Sequence, residues 1–276
     1  MTEHIGGQAV IEGVMMKNKE KLAISVRLPN GKIKTKKERL KKRRKLFTKP
    51  FLRGFFVLLD TLIIGIKSLL WSADQQLEEH EKITKKDVFL TLAFTIGITI
   101  LFFIVLPFYL TGLIVGKGWI FNLIDGLIRL GMFLVYFIAI SFFKDVRILF
   151  QYHGAEHKAI NCLESKKRLT VENIKKFSTL NPRCGTSFIL IVLTISIIIF
   201  SLLHSDFWYI NLGARIVLIP VIASISYEIL RFSAKYQKNP IMRLIIFPGL
   251  LLQRISTKEP NKKQIEVAVK ALKSVL

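Results

Sequence analysis

The stretch VFLTLAFTIGITILFFIVLPFYLTGLIVG, residues 88–116, contains no charged residue and is long enough to cross the roughly 30 Å hydrocarbon layer of a bilayer. Because that layer offers no water to backbone polar groups, a spanning segment has to form a helix. A second apolar segment, 120–143, follows after only Lys117-Gly118-Trp119 and completes a predicted hairpin. Segments 188–204 and 212–232 predict another. The sequence therefore predicts a mainly α, polytopic membrane protein with four transmembrane helices arranged as two hairpins.

The charge distribution predicts which helix ends face the cytoplasm. The 276-residue chain is 51% hydrophobic, yet its formal net charge is +23, a combination that soluble globular proteins seldom show. The positive charge is concentrated in segments 17–50, 144–187 and 233–276, with net charges of +13, +5 and +7. The short connections at 117–119 and 205–211 carry almost none. Positive-inside bias therefore predicts a multi-pass protein of the cell (plasma) membrane with its N-terminus and C-terminus in the cytoplasm.

Two further apolar segments are predicted to lie in the membrane interface or to re-enter it. Segment 51–71 could span by length, but a polar stripe runs along one helical face at seven-residue spacing, formed by Arg53, Asp60 and Lys67. A fifth crossing would also place the +5 and +7 segments outside. Segment 241–255 is short, amphipathic and interrupted by a Pro-Gly pair, and it receives the same interpretation.

The N-terminal region predicts a small cytoplasmic β-unit. Leu22–Leu28 and Lys32–Lys37 flank Pro29-Asn30-Gly31, and Asn-Gly between alternating runs is a strong hairpin signal. Ala9–Met16 could add a third strand. A unit of about 40 residues is marginal alone, so we expect it to pack on the inner surface of the membrane domain.

The predicted segments follow one another along the whole chain. They are a β-hairpin unit with a basic segment (1–50), an interfacial or re-entrant helix (51–71), a charged connector (72–87), a transmembrane hairpin (88–143), a cytoplasmic loop (144–187), a second hairpin (188–232) and a cytoplasmic amphipathic tail (233–276).

The cytoplasmic loop contains the motif His-x-x-Glu-His at residues 153–157. On a helix, His153 and His157 lie one turn apart on one face with Glu156 beside them. Two such imidazoles can hold zinc or another divalent metal, and the carboxylate can act as general base for hydrolysis, as in inverted zincin motifs. The alternative is an interfacial helix whose histidines donate hydrogen bonds to carbonyls or lipid phosphates.

Two histidines leave a metal site incomplete, so a further ligand is needed. Cys184 returns to the same membrane face just before the third span and is the first candidate. Glu228, near the inner end of the fourth span, is the second, with an ion pair to Arg231 as the alternative. Cys162 is a weaker candidate, because a small buried residue would explain it. Both cysteines lie in one cytoplasmic loop, so a disulfide is not expected.

Two more charged residues are candidates for the site. Glu12 is the one carboxylate in the apolar, glycine-flanked stretch 5–16, and it could reach the site as a ligand, as an orienting group or as the base. The alternative for Glu12 is a strand residue that faces solvent. Arg183 is a candidate through its place beside Cys184.

The basic run Lys32–Lys49 predicts binding to anionic lipid headgroups. It could equally contact ribosomal RNA through phosphates, but sequence-specific nucleic-acid binding is not expected because no aromatic residues are interleaved with it. Two classes of function remain open. One is a metal-dependent hydrolase that acts at the membrane interface on a lipid headgroup or a membrane-emerging peptide. The other is a non-catalytic membrane factor that docks a partner such as the ribosome or the protein-export machinery.

Five segments stand out in order along the chain: GGQAVIEGVMM (6–16), YHGAEHKAIN (152–161), NPRCGTSF (181–188), YEILRFSAK (227–235) and PGLLLQRISTKEP (248–260). Through them the chain resembles the YqhQ-like family of uncharacterised bacterial membrane proteins. The five segments span nearly the whole chain. The resemblance implies a bacterial cell membrane location and, because the family is described as predicted metal-dependent enzymes, a metal-dependent activity. It implies no substrate.

Overall fold

The computed structural model describes residues 5–41, 49, 53–78, 83–116, 118–203, 208–236 and 239–276. Within this part the strands are β1 (Ile5–Val10), β2 (Gly13–Asn18), β3 (Lys21–Arg27) and β4 (Ile33–Arg39). The helices are α1 (Arg53–Asp74), α2 (Lys85–Ile114), α3 (Trp119–Ile140), α4 (Lys144–Glu164), α5 (Val171–Lys175), α6 (Gly185–Ser201), α7 (Trp208–Lys235), α8 (Pro240–Ser256) and α9 (Lys262–Lys273). The protein is thus mainly helical with a small N-terminal sheet, as the sequence predicts.

The four strands form one antiparallel sheet in the order β1-β2-β3-β4. The predicted hairpin at Pro29-Asn30-Gly31 joins β3 to β4, and Gly31 has a positive φ of 81°. The stretch 9–16 is not one strand, however, but part of the β1–β2 hairpin, with Ile11 and Glu12 in the turn. Glu12 takes a left-handed backbone conformation (φ 50°). The sequence does not predict this turn, because glutamate is uncommon at positions with positive φ.

Helices cover both faces of the sheet. Strand residues alternate between the faces, and one set packs against α4 and α9, namely Val14, Met16 and Ala23. The other set includes Val10, Leu22, Ile24 and Val26 and packs against side chains of α1, namely Ile64, Leu69 and Trp71. Helix α9, predicted only as part of an amphipathic tail, therefore closes the core, and its Ile265 and Leu272 are fully buried.

Four helices in the described part are long and apolar enough to cross a membrane: α1, α2, α3 and Ile216–Ser233 of α7. Helix α6 is also apolar but has only 17 residues. The number of candidate spans, four, agrees with the prediction, but they are not the same four helices. Helix α1 is long and apolar enough to span, although the sequence analysis placed 51–71 in the interface. Helix α6 is shorter than the other candidates, although the sequence analysis counted 188–204 as a span. These helices are compatible with a membrane protein.

Helix α8 is continuous, although its Pro-Gly pair predicted an interruption. Pro248 removes one backbone donor, and the surrounding turns retain helical geometry. Gly249 lets α8 lie directly on α6, since a Cβ there would come within 2.6 Å of the Ser187 Cβ. The end of α8 thereby lies beside the start of α6.

Several predicted segments include residues outside the described part, among them 51–71, 72–87, 117–119 and 188–204. The basic run 32–49 can be followed only to Lys41 and again at Lys49, and the connection at 205–211 only from Trp208.

Candidate metal centre

The His-x-x-Glu-His motif lies on α4, which begins after a short turn at 141–143 rather than continuing α3. His153 and His157 are one turn apart, as predicted, and their ring centroids are 4.4 Å apart. The opposite side of α4 packs into the core through Tyr152 and Ala159. This packing fixes the direction in which the two histidines point.

Cys184 joins the two histidines. Its Sγ lies 3.3 Å from Nε2 of His153, and the potential ligand atoms of all three residues lie within 4.8 Å of one another. In tetrahedral zinc sites with bonds of about 2.0–2.3 Å, ligand atoms lie roughly 3.3–3.8 Å apart. The 3.3 Å distance falls in this range, and the 4.8 Å limit for the whole group is about 1 Å wider. Cys184 is also the N-cap of α6, and its sulfur accepts a hydrogen bond from the Thr186 amide at 3.4 Å. The positive end of the helix dipole favours the negative charge of a thiolate ligand.

Main-chain carbonyls orient both histidine rings. Nδ1 of His153 lies 2.9 Å from the carbonyl oxygen of Ser256, and Nδ1 of His157 lies 2.5 Å from that of Thr179. Because a carbonyl can only accept, each Nδ1 donates a proton, and in a neutral imidazole Nε2 then carries the lone pair that can bind a metal. Metal-binding histidines are held in the same way by hydrogen bonds to the other ring nitrogen. The residues therefore fit a metal such as zinc, both in donor type and in tautomer.

Glu156 lies between the histidines and β1. Its Oε2 is 3.6 Å from Nε2 of His157 and 3.9 Å from Nε2 of His153. Burial raises the pKa of the Glu156 carboxyl to about 7, while nearby His153 acts in the opposite direction. Gly7 of β1 makes room for the carboxylate, since a Cβ there would lie 2.5 Å from Oε1. A carboxyl that titrates near neutrality can accept or release a proton.

Two side-chain amides fix the loop that carries Cys184. Asn161 of α4 donates to the carbonyls of Ser178 and Leu180 at 2.9 and 3.1 Å. Gln253 of α8 is fully buried, accepts from the Asn181 amide and donates to the Asn181 carbonyl, at 2.9 and 2.8 Å. The sequence analysis assigned no role to either amide. Both lie in the segments that carry the family resemblance, and their place in those segments is the one feature of the sequence that could have identified them.

The other proposed ligands lie outside this group in the described part of the chain. Glu228 forms a two-pronged ion pair with Arg53 of α1, at 2.7 and 2.5 Å, rather than the alternative pair with Arg231. Cys162 is buried in the hydrophobic core beside α9, and burial raises the pKa of its thiol. The position of Cys162 agrees with the alternative of a small buried residue.

Glu12 and Arg183 support neighbouring structure. The Glu12 carboxylate accepts a hydrogen bond from the Tyr152 hydroxyl at 3.0 Å, so it contacts α4 one residue before His153. Arg183 forms an ion pair with Glu164 at the end of α4. Both contacts tie other segments to the motif helix.

Comparison with known proteins agrees with the resemblance drawn from the sequence. Residues 49–276 match a family described as "Protein of unknown function (DUF1385)". A relative from Bacillus subtilis (strain 168), described as "Uncharacterized protein YqhQ", is 35% identical over 294 aligned residues that cover 98% of this chain and 92% of the relative. No solved structure matches the chain.

Proposed function

The chain belongs to the DUF1385 family of proteins of unknown function, and from its own site we propose that it is a membrane-bound hydrolase dependent on a divalent metal, zinc by its donor set. One observation carries this proposal. One ring nitrogen from each of two histidines and one thiol sulfur converge within 4.8 Å, while backbone carbonyls lie against both Nδ1 atoms. If the histidines served only to donate hydrogen bonds to carbonyls, a second histidine and a cysteine would not be required near the other ring nitrogen.

The three residues would hold the metal and leave a fourth position open, as in catalytic zinc sites. Zinc in such a site supplies a Lewis acid that activates water. Glu156 would take up a proton at Oε2, the oxygen that lies within 4 Å of both Nε2 atoms. The side chain of His153 is 17% exposed and that of His157 only 3%. A substrate would therefore approach beside His153.

We propose that both termini and the metal site face the cytoplasm. The N-terminal sheet lies beside residues 275–276, since Asn18 donates to the Val275 carbonyl at 3.2 Å and Lys21 to the Leu276 carbonyl at 2.8 Å. Helix α4 packs in the same core. Because the sheet, α4 and α9 share one side, an even number of crossings must separate them. The α2–α3 and α6–α7 hairpins supply two crossings each, which leaves α1 and α8 in the interface.

The contacts of α1 favour this placement. Its buried face consists of small residues that touch the sheet and the inner end of α7. Gly65 lies against Gln8 of β1, and the Ser72 hydroxyl accepts a hydrogen bond from the Ile11 amide at 3.0 Å. Since β1 packs against α1 and α4, α1 would lie along the cytoplasmic border.

This topology would place the metal site at the membrane interface. Cys184 immediately precedes the apolar helix α6, and α4 starts within a few residues of the end of α3. A hydrolase with this site would act on substrates at the membrane surface or emerging from it.

Metal analysis of the purified protein tests the proposal. The wild type should contain close to one metal ion per chain, and the double variant His153→Ala with His157→Ala should contain almost none. Cys184→Ala and Cys162→Ala form a matched pair, because both remove a buried thiol but only Cys184 belongs to the group. Cys184→Ala should lower the metal content and Cys162→Ala should keep it. Equal, near-zero metal in wild type and double variant would refute the proposal.

A second candidate, a docking factor for the ribosome or the export machinery, is favoured by the basic strand β4, whose Arg39 side chain is 85% exposed. Loss of cellular function on Glu156→Gln with normal expression would favour the hydrolase. Loss only on neutralising the basic residues of 36–45 would favour docking.

A further inference from the structure

The two edges of the sheet differ in chemistry. Strand β4 has the sequence IKTKKER, and such charged edges resist pairing with another strand. Strand β1 has the sequence IGGQAV, without a charge, and its Gly6 and Gly7 are exposed. One edge of the same sheet is therefore protected and the other is suited to pairing.

The register shows which backbone groups of β1 point outward. In an antiparallel pair, every second residue bonds to the partner strand and the residues between point away. The Arg27 amide donates to the Glu12 carbonyl, which fixes the hydrogen-bond pattern of β2. The even-numbered residues of β2 form backbone hydrogen bonds with β3, and the odd-numbered ones form them with β1. Val10 lies opposite Gly13, so the even-numbered residues of β1 bond to β2. The N–H and C=O groups of Ile5, Gly7 and Ala9 consequently face outward.

The next outward group along the chain supports this assignment. The Ile11 amide donates to Ser72 of α1 rather than to another strand. For Gly7 and Ala9, no hydrogen-bond partner of the outward groups is present in the described part of the chain. Among the described residues, the outer edge of β1 thus offers unpaired donors and acceptors up to the point where α1 covers it.

This edge runs beside the candidate metal centre. Gly7 packs against the Glu156 carboxylate, which in turn lies within 4 Å of both histidine Nε2 atoms. The absence of side chains at Gly6 and Gly7 also leaves the approach to the edge open. A strand added there would lie next to Gly7 and therefore near the Glu156 carboxylate.

We propose that the β1 edge binds an extended polypeptide by strand addition and presents its backbone to Glu156 and the metal-binding group. The inference rests on the proposed function and specifies its substrate class as polypeptide rather than lipid headgroup. Main-chain hydrogen bonds provide affinity in this mode, and alternate side chains of the bound segment face the site. Hydrolysis there breaks the peptide C–N bond. The oxygen and one proton of water go to the new carboxyl group, and the other proton goes to the new amine.

Hydrogen exchange of the full-length protein in detergent tests the inference, with the unfolded polypeptide β-casein as probe. Casein should slow exchange of the outward amides of Gly7 and Ala9 and leave β4 unchanged. Ala9→Pro removes one outward N–H while leaving the β1–β2 ladder intact, and edge strands tolerate such prolines.

Lys37→Pro is the matched control on β4. The bonds from the Leu28 amide to Lys32 and from the Leu40 amide to Glu20 place the Lys37 amide on the outer edge of that strand. Ala9→Pro should weaken casein binding about fivefold, as loss of one hydrogen bond predicts, and Lys37→Pro should leave it unchanged. Both variants should keep the wild-type metal content, which shows that each remains folded.

Four outcomes would overturn the inference. They are absence of casein binding, binding without protection of β1, equal weakening by the two proline variants, and protection of β1 without casein. In the last case, protection that rises with protein concentration identifies a second copy of the chain, and protection by anionic vesicles identifies lipid. The variant His153→Ala with His157→Ala separates this test from the proposed function. It removes the metal but should retain protection of β1 by casein.

Discussion

At the scale of single residues, Gly7 determines where the Glu156 carboxylate can lie. The strand passes so close to the carboxylate that the Cβ of any other residue would collide with its Oε1 and Cγ, at 2.5 and 2.6 Å. Gly6 is different, because a Cβ there would meet nothing within 4 Å. Two adjacent glycines thus have separate roles, one in packing against the site and one in leaving the edge open.

Alanine at these two positions should therefore have different effects. Gly7→Ala should lower the free energy of unfolding by about 1–3 kcal/mol, because it overpacks a buried contact. Gly6→Ala should change it by less than about 0.5 kcal/mol, as for an exposed position. Denaturant unfolding in detergent measures both values. Equal effects would show that the approach of Gly7 to Glu156 is not a constraint.

The sequence predicts the side chains of the candidate metal-binding group better than their environment. His153 and His157 are recognised by helical spacing, and Cys184 by its predicted return to the same membrane face. The carbonyls of Ser256 and Thr179 could not be predicted, since every residue has a carbonyl and only the fold selects these two.

At the scale of elements, the contact between α1 and α7 explains the position of Glu228. Gly54 brings the start of α1 against Ser224 and Tyr227 of α7, and Arg53 then reaches Glu228 across 175 residues of sequence. Sequence spacing identifies only local partners, so it suggests Arg231, three residues from Glu228. It cannot indicate Arg53, which is distant in the chain. The ion pair joins the first helix to the end of the last hairpin.

Substitution of Glu228 should affect this contact and leave the metal site intact. Glu228→Ala should destabilise the protein by about 1–2 kcal/mol, because it leaves a partly buried arginine without its carboxylate. The swapped pair Arg53→Glu with Glu228→Arg should recover part of the loss. Thermal unfolding and metal analysis of the same samples test the prediction. A fall in metal content on Glu228→Ala would restore this residue as a candidate ligand.

The sequence locates the apolar helices within a few residues but misses two other elements. Long uncharged runs mark helices through hydropathy alone. The β1–β2 turn is missed because Glu12 is not a typical turn residue, and the burial of α9 is missed because its lysines resemble those of a solvated tail. Its apolar face acquires a partner only when the sheet and α4 are brought to it.

At the scale of the whole molecule, the packing of both chain ends into one unit restricts the topology. An even number of crossings must separate the sheet from α4, although three apolar helices lie between them. We therefore expect α2 and α3 to cross and α1 to stay on the cytoplasmic side. Charge counting along the sequence leads to the same arrangement by an independent argument.

Single cysteines tested with a membrane-impermeant maleimide can distinguish these topologies. Gly116→Cys, at the exposed connection of α2 and α3, should react in intact cells. Lys176→Cys, exposed after α5, should react only after the membrane is permeabilised. The parent chain has only Cys162 and Cys184, both buried, so background labelling is low. Labelling of Lys176→Cys in intact cells would mean that the sheet and the candidate site face outward. Protection of both positions in intact cells would mean that α1 crosses the membrane in place of α3.

The contact of Val275 and Leu276 with Asn18 and Lys21 also has a consequence for biosynthesis. The sheet is synthesised before the apolar helices, yet α9, which closes its apolar face, is synthesised after them. Until α9 has been made, Val14, Met16 and Ala23 lack their partners on it. A prematurely terminated chain would keep this face uncovered, and exposed apolar surface of this kind promotes aggregation. A chain that lacks α9 is therefore expected to aggregate more readily than one that contains it.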